Sequence, residues 1–357
     1  MNGEGIITCE IDNYSDSIFA IVGFMNFYRY DDASRRIRGD VLVFQGRRLT
    51  PSKPKKGNGE DATYVTPDLG VLLPTNQGVL AEVKRSFPKN QEFWLSDFQQ
   101  LMAYDDDLTG WPSETQKVEN HDIVLLLHQS RAIAVKDYYE QNKAQIMFSR
   151  PFCIVEFNRD SEGQAFFFFR TVIGAVSQQN LVERLRLGIE VPMSVYSKQY
   201  STVKLYDAQP PLPYLLELIW THFLAFKVSN APGYRMPARN QKVKVEVTPE
   251  EICEHLETNF SFLGLHHDHA DGRQPKVVKK TWVLEACAAL VRFGDAKWKD
   301  DSRAALFVSF VQRANVLDYF VKQWAKEPRK DDQLELFSAP PTEQASPSVQ
   351  ESHTHST

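Results

Sequence analysis

The stretch Thr66-Pro-Asp-Leu-Gly-Val-Leu-Leu-Pro-Thr-Asn-Gln-Gly-Val-Leu-Ala-Glu-Val-Lys84 decides the fold of the first half of the chain. Two short apolar runs, Leu69 to Leu73 and Val79 to Val83, flank the turn-forming segment Pro74 to Gly78. This pattern predicts a β-hairpin. Side chains alternate between the two faces of a strand, so the apolar odd-numbered positions predict one core face.

Three charged residues, Asp68, Glu82 and Lys84, share the other face at the open end of the hairpin. If the strands pair symmetrically about the turn, Asp68 lies across from Glu82 and Lys84. Two negative charges about 4 Å apart repel by about 4 kcal/mol at an effective dielectric near 20, and a bound divalent cation would remove that cost. Mg²⁺ takes carboxylate oxygens and keeps water positions open, and a neighbouring lysine could orient or deprotonate a water. This chemistry is suited to phosphodiester hydrolysis.

These residues resemble the PD-(D/E)XK nuclease superfamily, with Pro67-Asp68 as the first half of its motif and Glu82-Val83-Lys84 as the second. The motif is short and degenerate, and the competing interpretation is a hairpin with a surface cluster of Asp, Glu and Lys. The resemblance implies that Asp68 and Glu82 hold Mg²⁺ or Mn²⁺ and that Lys84 serves the attacking water. Members of the family often carry a further metal-site acid upstream. The candidates here are Asp31, Asp32, Asp40, Glu60 and Asp61, with Glu60 nearest the hairpin.

A helix is predicted after the hairpin, from Asn90 to about Asp106, because apolar residues recur there at helical spacing. Gln100 and Tyr104 are i and i+4 neighbours on one side of it. The segment Gln100-Leu-Met-Ala-Tyr104 is similar to the QxxxY signature of the RecB and lambda-exonuclease-like branch of the superfamily. In that branch the polar pair helps to orient the nucleic acid, so the resemblance implies this role for Gln100 and Tyr104. The resemblance to the superfamily covers about residues 60 to 130.

The most basic part of the first half is a segment rich in Gly, Pro and Lys that follows the predicted strand Asp40 to Phe44. Its composition predicts a loop. A basic loop beside a phosphodiesterase site is suited to contact the phosphate backbone of DNA. A solvated loop without such a role is the alternative. The candidate DNA-binding residues are Arg47, Arg48, Lys53, Lys55 and Lys56.

Strand and helix patterns alternate beyond the hairpin. A continuous apolar run from Asp122 to Leu127 predicts a central strand, helical sequence follows near Val135 to Ile146, and two further strands follow by residue 172. Spacing alone indicates only an α/β fold. The resemblance implies more, namely a restriction-endonuclease-like mixed sheet flanked by helices over residues 1–206.

Residues 207–326 form a second predicted domain of mainly α-helical sequence, entered through the proline-rich segment Asp207 to Pro213. The predicted helices are Tyr214 to Phe226, Thr248 to Thr258, Lys280 to Phe293 and Ser302 to Trp324. Short helices separated by a basic loop are typical of a winged-helix or helix-turn-helix module that holds nucleic acid. A helical cap that completes the hydrophobic core is the equal alternative.

Residues 327–357 are polar, and their composition predicts a disordered tail. One short segment in it, Gln333-Leu-Glu-Leu-Phe337, is similar to the QLxLF peptide by which many bacterial proteins bind the sliding clamp of the replicative polymerase. The resemblance implies a contact through Gln333, Leu334, Leu336 and Phe337, with the apolar side chains in a groove of the partner. A chance match, or a hydrophobic segment that docks on the parent domain, is the alternative.

The composition is that of a globular chain: 357 residues, 42% hydrophobic, with a net charge of -5. No secretion signal and no run of about 18 apolar residues is present, so we expect a cytoplasmic protein without a membrane span. Four widely spaced cysteines argue against a structural zinc site. The sequence thus predicts an Mg²⁺- or Mn²⁺-dependent deoxyribonuclease of DNA repair, recombination or defence, recruited by a sliding clamp. A catalytically inactive nuclease-like module that binds DNA or the clamp is the alternative.

Overall fold

The fold is a set of helices around one large and several small sheets. The computed structural model describes residues 3–31, 36–37, 40–52, 64–84, 94–112, 118–159, 166–192, 203–230, 241–261 and 276–327. Its α-helices are α1 (Gly3–Arg29), α2 (Trp94–Met102), α3 (Gln129–Gln141), α4 (Gln179–Leu187), α5 (Leu212–Leu218), α6 (Ala225–Ser229), α7 (Pro249–Phe260), α8 (Lys280–Arg292) and α9 (Val316–Trp324). A 3₁₀ turn, Ala103–Asp105, follows α2, and a π-helix, Ile219–Leu224, joins α5 to α6.

The strands alternate with these helices along the chain. They are β1 (Tyr30–Asp31), β2 (Arg36–Ile37), β3 (Leu42–Phe44), β4 (Thr50–Pro51), β5 (Leu69–Leu72), β6 (Gln77–Lys84), β7 (Leu108–Thr109), β8 (Asn120–His128), β9 (Phe152–Arg159), β10 (Phe166–Gly174), β11 (Ile189–Pro192), β12 (Val243–Val247), β13 (Ala296–Trp298) and β14 (Leu306–Phe310). None of the helices in the described ranges has both the length and the apolar character needed to cross a membrane.

A seven-stranded mixed sheet forms the centre of the molecule, in the order β11-β10-β9-β8-β6-β5-β3. β6, β8 and β9 run parallel, and their outer neighbours pair antiparallel. The continuous apolar run predicted as a central strand is β8, whose Ile123 to Leu127 are fully buried. The predicted α/β class with a mixed sheet is therefore confirmed.

The predicted hairpin is confirmed as β5 and β6, with Leu69 opposite Ala81 and Val71 opposite Val79. Its turn contains Asn76 at a φ of 60°, a left-handed conformation that Asn adopts more readily than most residues. The expectation of a single core face is wrong, because both faces are buried. The odd-numbered side chains pack with α1, whereas Leu80 on the other face packs with the apolar side of α2. The charged end of the hairpin is consequently not a surface cluster.

The C-terminal region contains a three-stranded antiparallel sheet of order β12-β14-β13 in addition to its helices. The predicted helices around Thr248 and Lys280 are confirmed as α7 and α8, and Thr248 caps α7 through a reciprocal capping box. The helix predicted from Ser302 to Trp324 is wrong in its first half. Leu306, Val308 and Phe310 alternate in burial with their neighbours, which is the period of a strand.

One continuous hydrophobic cluster joins the central sheet to the C-terminal helices. It includes Leu69 and Val83 of the hairpin together with Leu215 and Trp282 of the later helices. Tyr14 of α1 lies between the two parts, and its ring centroid is 4.9 Å from that of Tyr206. The division at residues 206 and 207 thus remains a prediction, and these two parts of the described chain share a core.

Candidate functional site

The open end of the hairpin brings two carboxylates together. The register of β5 and β6 places Asp68 beside Glu82, and the Val83 N–H donates a 2.8 Å hydrogen bond to Oδ2 of Asp68. Glu82 is only 4% exposed, and Asp68 is partly buried. The symmetric pairing expected from the sequence is therefore the observed one.

Glu82 is held by the two polar residues predicted on α2. Nε2 of Gln100 donates to Oε1 of Glu82 at 2.8 Å, and the Tyr104 hydroxyl donates to Oε2 at 2.7 Å. Burial and the nearby Glu82 charge hold the pKa of Tyr104 well above its usual range, so the hydroxyl keeps its proton. Both oxygens of Glu82 are thus fixed. The contacts of Gln100 and Tyr104 observed here are with this carboxylate, and their role in orienting DNA stays a prediction.

Lys84 is the next residue of β6 on the same face as Glu82, and it completes the group. Its Nζ lies 3.2 Å from Oε1 of Glu82, 3.3 Å from Oε1 of Gln100 and 3.8 Å from Oδ1 of Asp97. Burial by itself lowers the pKa of Lys84, but the charges of Glu82, Asp68 and Asp97 outweigh it and raise the pKa. The side chain is therefore an ammonium, suited to orient a water and to stabilise a developing negative charge.

Asp68 lies in an unfavourable electrostatic environment. Burial and the Glu82 carboxylate raise its pKa well above the usual range, and the Val83 N–H and Lys84 oppose that rise only in part. Two acids thus face one another with a single nearby ammonium. Gln100, which borders the group, is exposed, so the carboxylates lie close to solvent.

The donor set agrees in kind with a hard divalent cation. Asp68 and Glu82 offer carboxylate oxygens, the ligands that Mg²⁺ prefers, and their unbalanced charge would be neutralised by it. No group of three or more His, Cys, Asp or Glu side chains within the described ranges is arranged to hold a metal ion. The predicted further acid, Glu60, lies outside those ranges.

Two residues near the carboxylates were not predicted from the sequence. Tyr206 is buried, and burial together with the charge of Asp68 raises its pKa. The Asp207 charge also contributes to the raised pKa of Asp68, and Asp207 itself pairs with Lys279 at 3.2 Å. The sequence gives no local signal for either contact, because about 140 residues separate these positions from the hairpin.

The predicted basic loop is described only in part. Arg47 donates to the backbone carbonyls of Gly110 and Trp111, and the guanidinium of Arg48 lies 4.2 Å from the centre of the Tyr64 ring. Leu49 and Val65 exchange backbone hydrogen bonds of 2.9 and 2.8 Å. These bonds join the loop to the segment of chain that leads into Asp68. Lys53, Lys55 and Lys56 lie outside the described residues, as do Gln333, Leu334, Leu336 and Phe337.

A second group of polar side chains lies toward the opposite end of β8. Asp122 is 1% exposed and accepts hydrogen bonds from the Ser177 N–H at 2.8 Å, the Ser177 hydroxyl, and Nε2 of Gln77 at 3.3 Å. His121 donates from Nε2 to the Tyr104 carbonyl at 2.6 Å, and burial lowers its pKa to about 4. The hydrogen-bond partners of these two side chains are uncharged groups, and burial raises the pKa of Asp122.

No protein-family model, curated protein or solved structure matches this chain.

Proposed function

We propose that the protein is a metal-dependent deoxyribonuclease of the PD-(D/E)XK type with a restriction-endonuclease-like core. The observation that carries this proposal is the facing pair of carboxylates of Asp68 and Glu82, with three further polar side chains around Glu82. In a cluster that only stabilises the fold, we expect each acid to be matched by a neutral or basic hydrogen-bond donor. Here the acids are in excess of the nearby cations, which favours a cation-binding site.

Each residue has a distinct part in the proposed reaction. Asp68 and Glu82 would hold Mg²⁺ or Mn²⁺, which supplies Lewis-acid chemistry at the phosphodiester when bound. Gln100 and Tyr104 fix the orientation of the Glu82 carboxylate, so that it needs no rearrangement before the reaction. Lys84 orients the attacking water and stabilises the negative charge that develops on the phosphate.

The topology of the C-terminal region supports contact with nucleic acid. The elements of this region follow in the order helix, β12, α7, α8, β13 and β14. The strands pair as β12-β14-β13. This order and this pairing are those expected of a winged-helix module. α8 has the place of the recognition helix. Two contacts join α8 to the proline-rich segment that begins at Asp207. Lys279 forms an ion pair with Asp207, and Nε2 of Gln209 donates a 2.9 Å hydrogen bond to Glu285. We infer that the module contributes to DNA binding from beside the proposed catalytic group.

DNA is accordingly the proposed substrate, and the segment Gln333 to Phe337 the proposed attachment to a bacterial sliding clamp in the cytoplasm. The alternative, a catalytically inactive nuclease-like module, is less well supported. An inactive module has no need of two facing carboxyl groups, whereas burial and the Glu82 charge raise the pKa of Asp68.

The enzymatic proposal is tested by incubating the purified protein with linear, nicked, circular and single-stranded DNA in Mg²⁺ or Mn²⁺. We expect cleavage of at least one substrate, its abolition by EDTA, and its loss in Asp68→Ala. The matched control is Glu183→Gln, which removes an exposed carboxylate of α4. If the wild type and Asp68→Ala behave identically, the enzymatic proposal fails. DNA binding without cleavage by both would favour the inactive module.

Clamp attachment is tested separately by deleting Gln333 to Phe337. We expect the deletion to abolish co-elution with a bacterial clamp while leaving nuclease activity on short DNA unchanged. Co-elution that survives the deletion would reject the assignment. Loss of folding would instead indicate that the segment docks on its own protein.

A further inference from the structure

Glu156 is a carboxylate in the central sheet that the proposed catalytic group does not use. It lies in β9 on the same face as Ile154, within the buried run Phe152 to Phe157, whose other residues are apolar, and is 4% exposed. Removing a charged carboxylate from water costs several kcal/mol, and an apolar side chain of similar size would avoid that cost. The core does not require a charge at this position, so the charge of Glu156 has its use in the partner that it holds.

Arg170, directly opposite Glu156 in β10, is that partner. Its Nε donates to Oε1 of Glu156 at 2.7 Å, and its Nη2 reaches the same oxygen. Within the described residues Nη1 has no hydrogen-bond partner, and half of the Arg170 side chain is exposed. Glu156 therefore holds a guanidinium in a fixed orientation while donors remain free for another oxyanion. Such a fork suits phosphate.

Arg170 belongs to the same cross-strand row as Lys84. Lys84 pairs with Leu127 of β8, Leu127 pairs with Glu156, and Glu156 pairs with Arg170. Paired residues in neighbouring strands point to the same face, so Lys84 and Arg170 share a face. Three strand spacings of about 4.8 Å separate them by about 14 Å. Successive phosphates of one strand rise about 3.4 Å along the axis of B-form DNA and also wind around it, so this distance covers roughly two phosphate steps.

The rim between Lys84 and Arg170 has a further positive contribution. β8 ends at His128 and leads directly into α3, so the N-terminal end of this 13-residue helix lies at the same rim. The dipole of a helix places partial positive charge at that end. Leu127 and Glu156, in the middle of the row, are buried. A strand of DNA that leaves the catalytic group would therefore pass over the rim, from Lys84 past the N-terminal end of α3 to Arg170.

We propose that Arg170, oriented by Glu156, binds a backbone phosphate of the substrate strand about two nucleotides from the phosphate that is hydrolysed. The assignment rests on the proposed nuclease function and adds the direction in which DNA crosses the protein. Because Arg170 acts on the substrate and Glu156 acts only through Arg170, Glu156 is a positioning residue.

The test measures binding of a fluorescent oligonucleotide by anisotropy in EDTA, over a series of salt concentrations. For Arg170→Gln we expect Kd to rise roughly 5- to 10-fold, and the slope of log Kd against log salt to fall by about 0.7 to 0.9, the value for one phosphate contact. Arg186→Gln is the matched control, since Arg186 also pairs with a glutamate but lies on α4, which packs on the opposite face. It should leave both quantities unchanged.

The double variant Glu156→Gln/Arg170→Gln removes both charges together, which keeps the test valid if the single variant is unstable. We expect it to fold and to show the same weak binding. Oligonucleotides that end at the nucleotide beside the hydrolysed phosphate, on the side that reaches Arg170, should bind the wild type and Arg170→Gln equally. If the wild type binds DNA and both variants bind it with the same Kd and salt slope, Arg170 serves only to neutralise Glu156 and the assignment is wrong. If the wild type neither binds nor cleaves DNA, the nuclease proposal itself fails.

Discussion

Asp68 and Asp122 are both shielded acids of the central sheet, yet they are held in opposite ways. Asp122 receives three hydrogen bonds from the neutral groups of Ser177 and Gln77. Asp68 faces Glu82, and its charge is further opposed by that of Asp207. Burial raises the pKa of both acids, but the hydrogen bonds from Ser177 and Gln77 oppose this rise at Asp122, whereas the like charges of Glu82 and Asp207 add to it at Asp68. The difference favours the Asp68 end of β6 as the place of the proposed site.

The largest effect should follow from removing an acid at the Asp68 end. We expect Glu82→Gln to lower the rate of DNA cleavage by at least about 10³-fold, which is about 4 kcal/mol of transition-state stabilisation. The amide keeps the shape but loses the charge. Single-turnover cleavage in Mg²⁺ measures the effect, and circular dichroism verifies folding. A loss below tenfold would place the chemistry elsewhere.

Acidification should lower the free energy of unfolding through His121, which lies near the opposite end of β8 from the proposed site. Burial holds its pKa at about 4 in the folded protein, below the usual 6.5. Unfolding therefore takes up a proton between these values. The free energy of unfolding should fall by up to about 3 kcal/mol as the pH drops from 6.5 to 4, and above 6.5 this contribution is constant.

Urea unfolding at several pH values measures this dependence. The matched variant is His121→Gln, whose amide can still donate to the Tyr104 carbonyl but does not titrate. Its stability should depend less on pH in that window. An unchanged dependence would show that other groups cause the acid sensitivity.

Asp122→Ala should lower the free energy of unfolding by about 2 kcal/mol, because the Ser177 and Gln77 donors would be left without their acceptor. Cleavage per folded molecule should change less than threefold. Thermal unfolding and a titration of active protein together test this expectation. A large loss of cleavage with intact stability would overturn the contrast drawn between the two acids.

Asp68→Asn should have the smallest effect on stability, and with the opposite sign. Removing one of two facing charges should raise the free energy of unfolding in EDTA by about 1 kcal/mol while cleavage is lost. Thermal unfolding with and without Mg²⁺ measures both states. A destabilised variant in EDTA would show that Asp68 is held as favourably as Asp122.

The parts of this arrangement that sequence reasoning could predict are local. Alternation defined the hairpin, and i, i+4 spacing placed Gln100 and Tyr104 on one side of the predicted helix, although Tyr104 lies in the 3₁₀ turn that follows α2. The burial of both hairpin faces was missed, because one strand pair does not reveal which layers cover it. Asp207 could not be identified, since only tertiary packing brings it near Asp68. The strand β14 was missed because its apolar residues also suit a helix over so short a length.

The length of chain between α1 and its packing partners has a consequence for biosynthesis. The Tyr14 hydroxyl accepts a hydrogen bond from the Tyr206 N–H, 192 residues away in sequence. At about 5 to 20 residues per second, a ribosome takes roughly 10 to 40 s to make that intervening chain. The hairpin and β10 can cover part of α1 earlier, but the part around Tyr14 lacks its aromatic partner during this interval, and the contact with α9 forms only when Val316–Trp324 has been made. We expect nascent chains that end before residue 206 to be more prone to aggregation and more dependent on chaperones than chains that extend through α9.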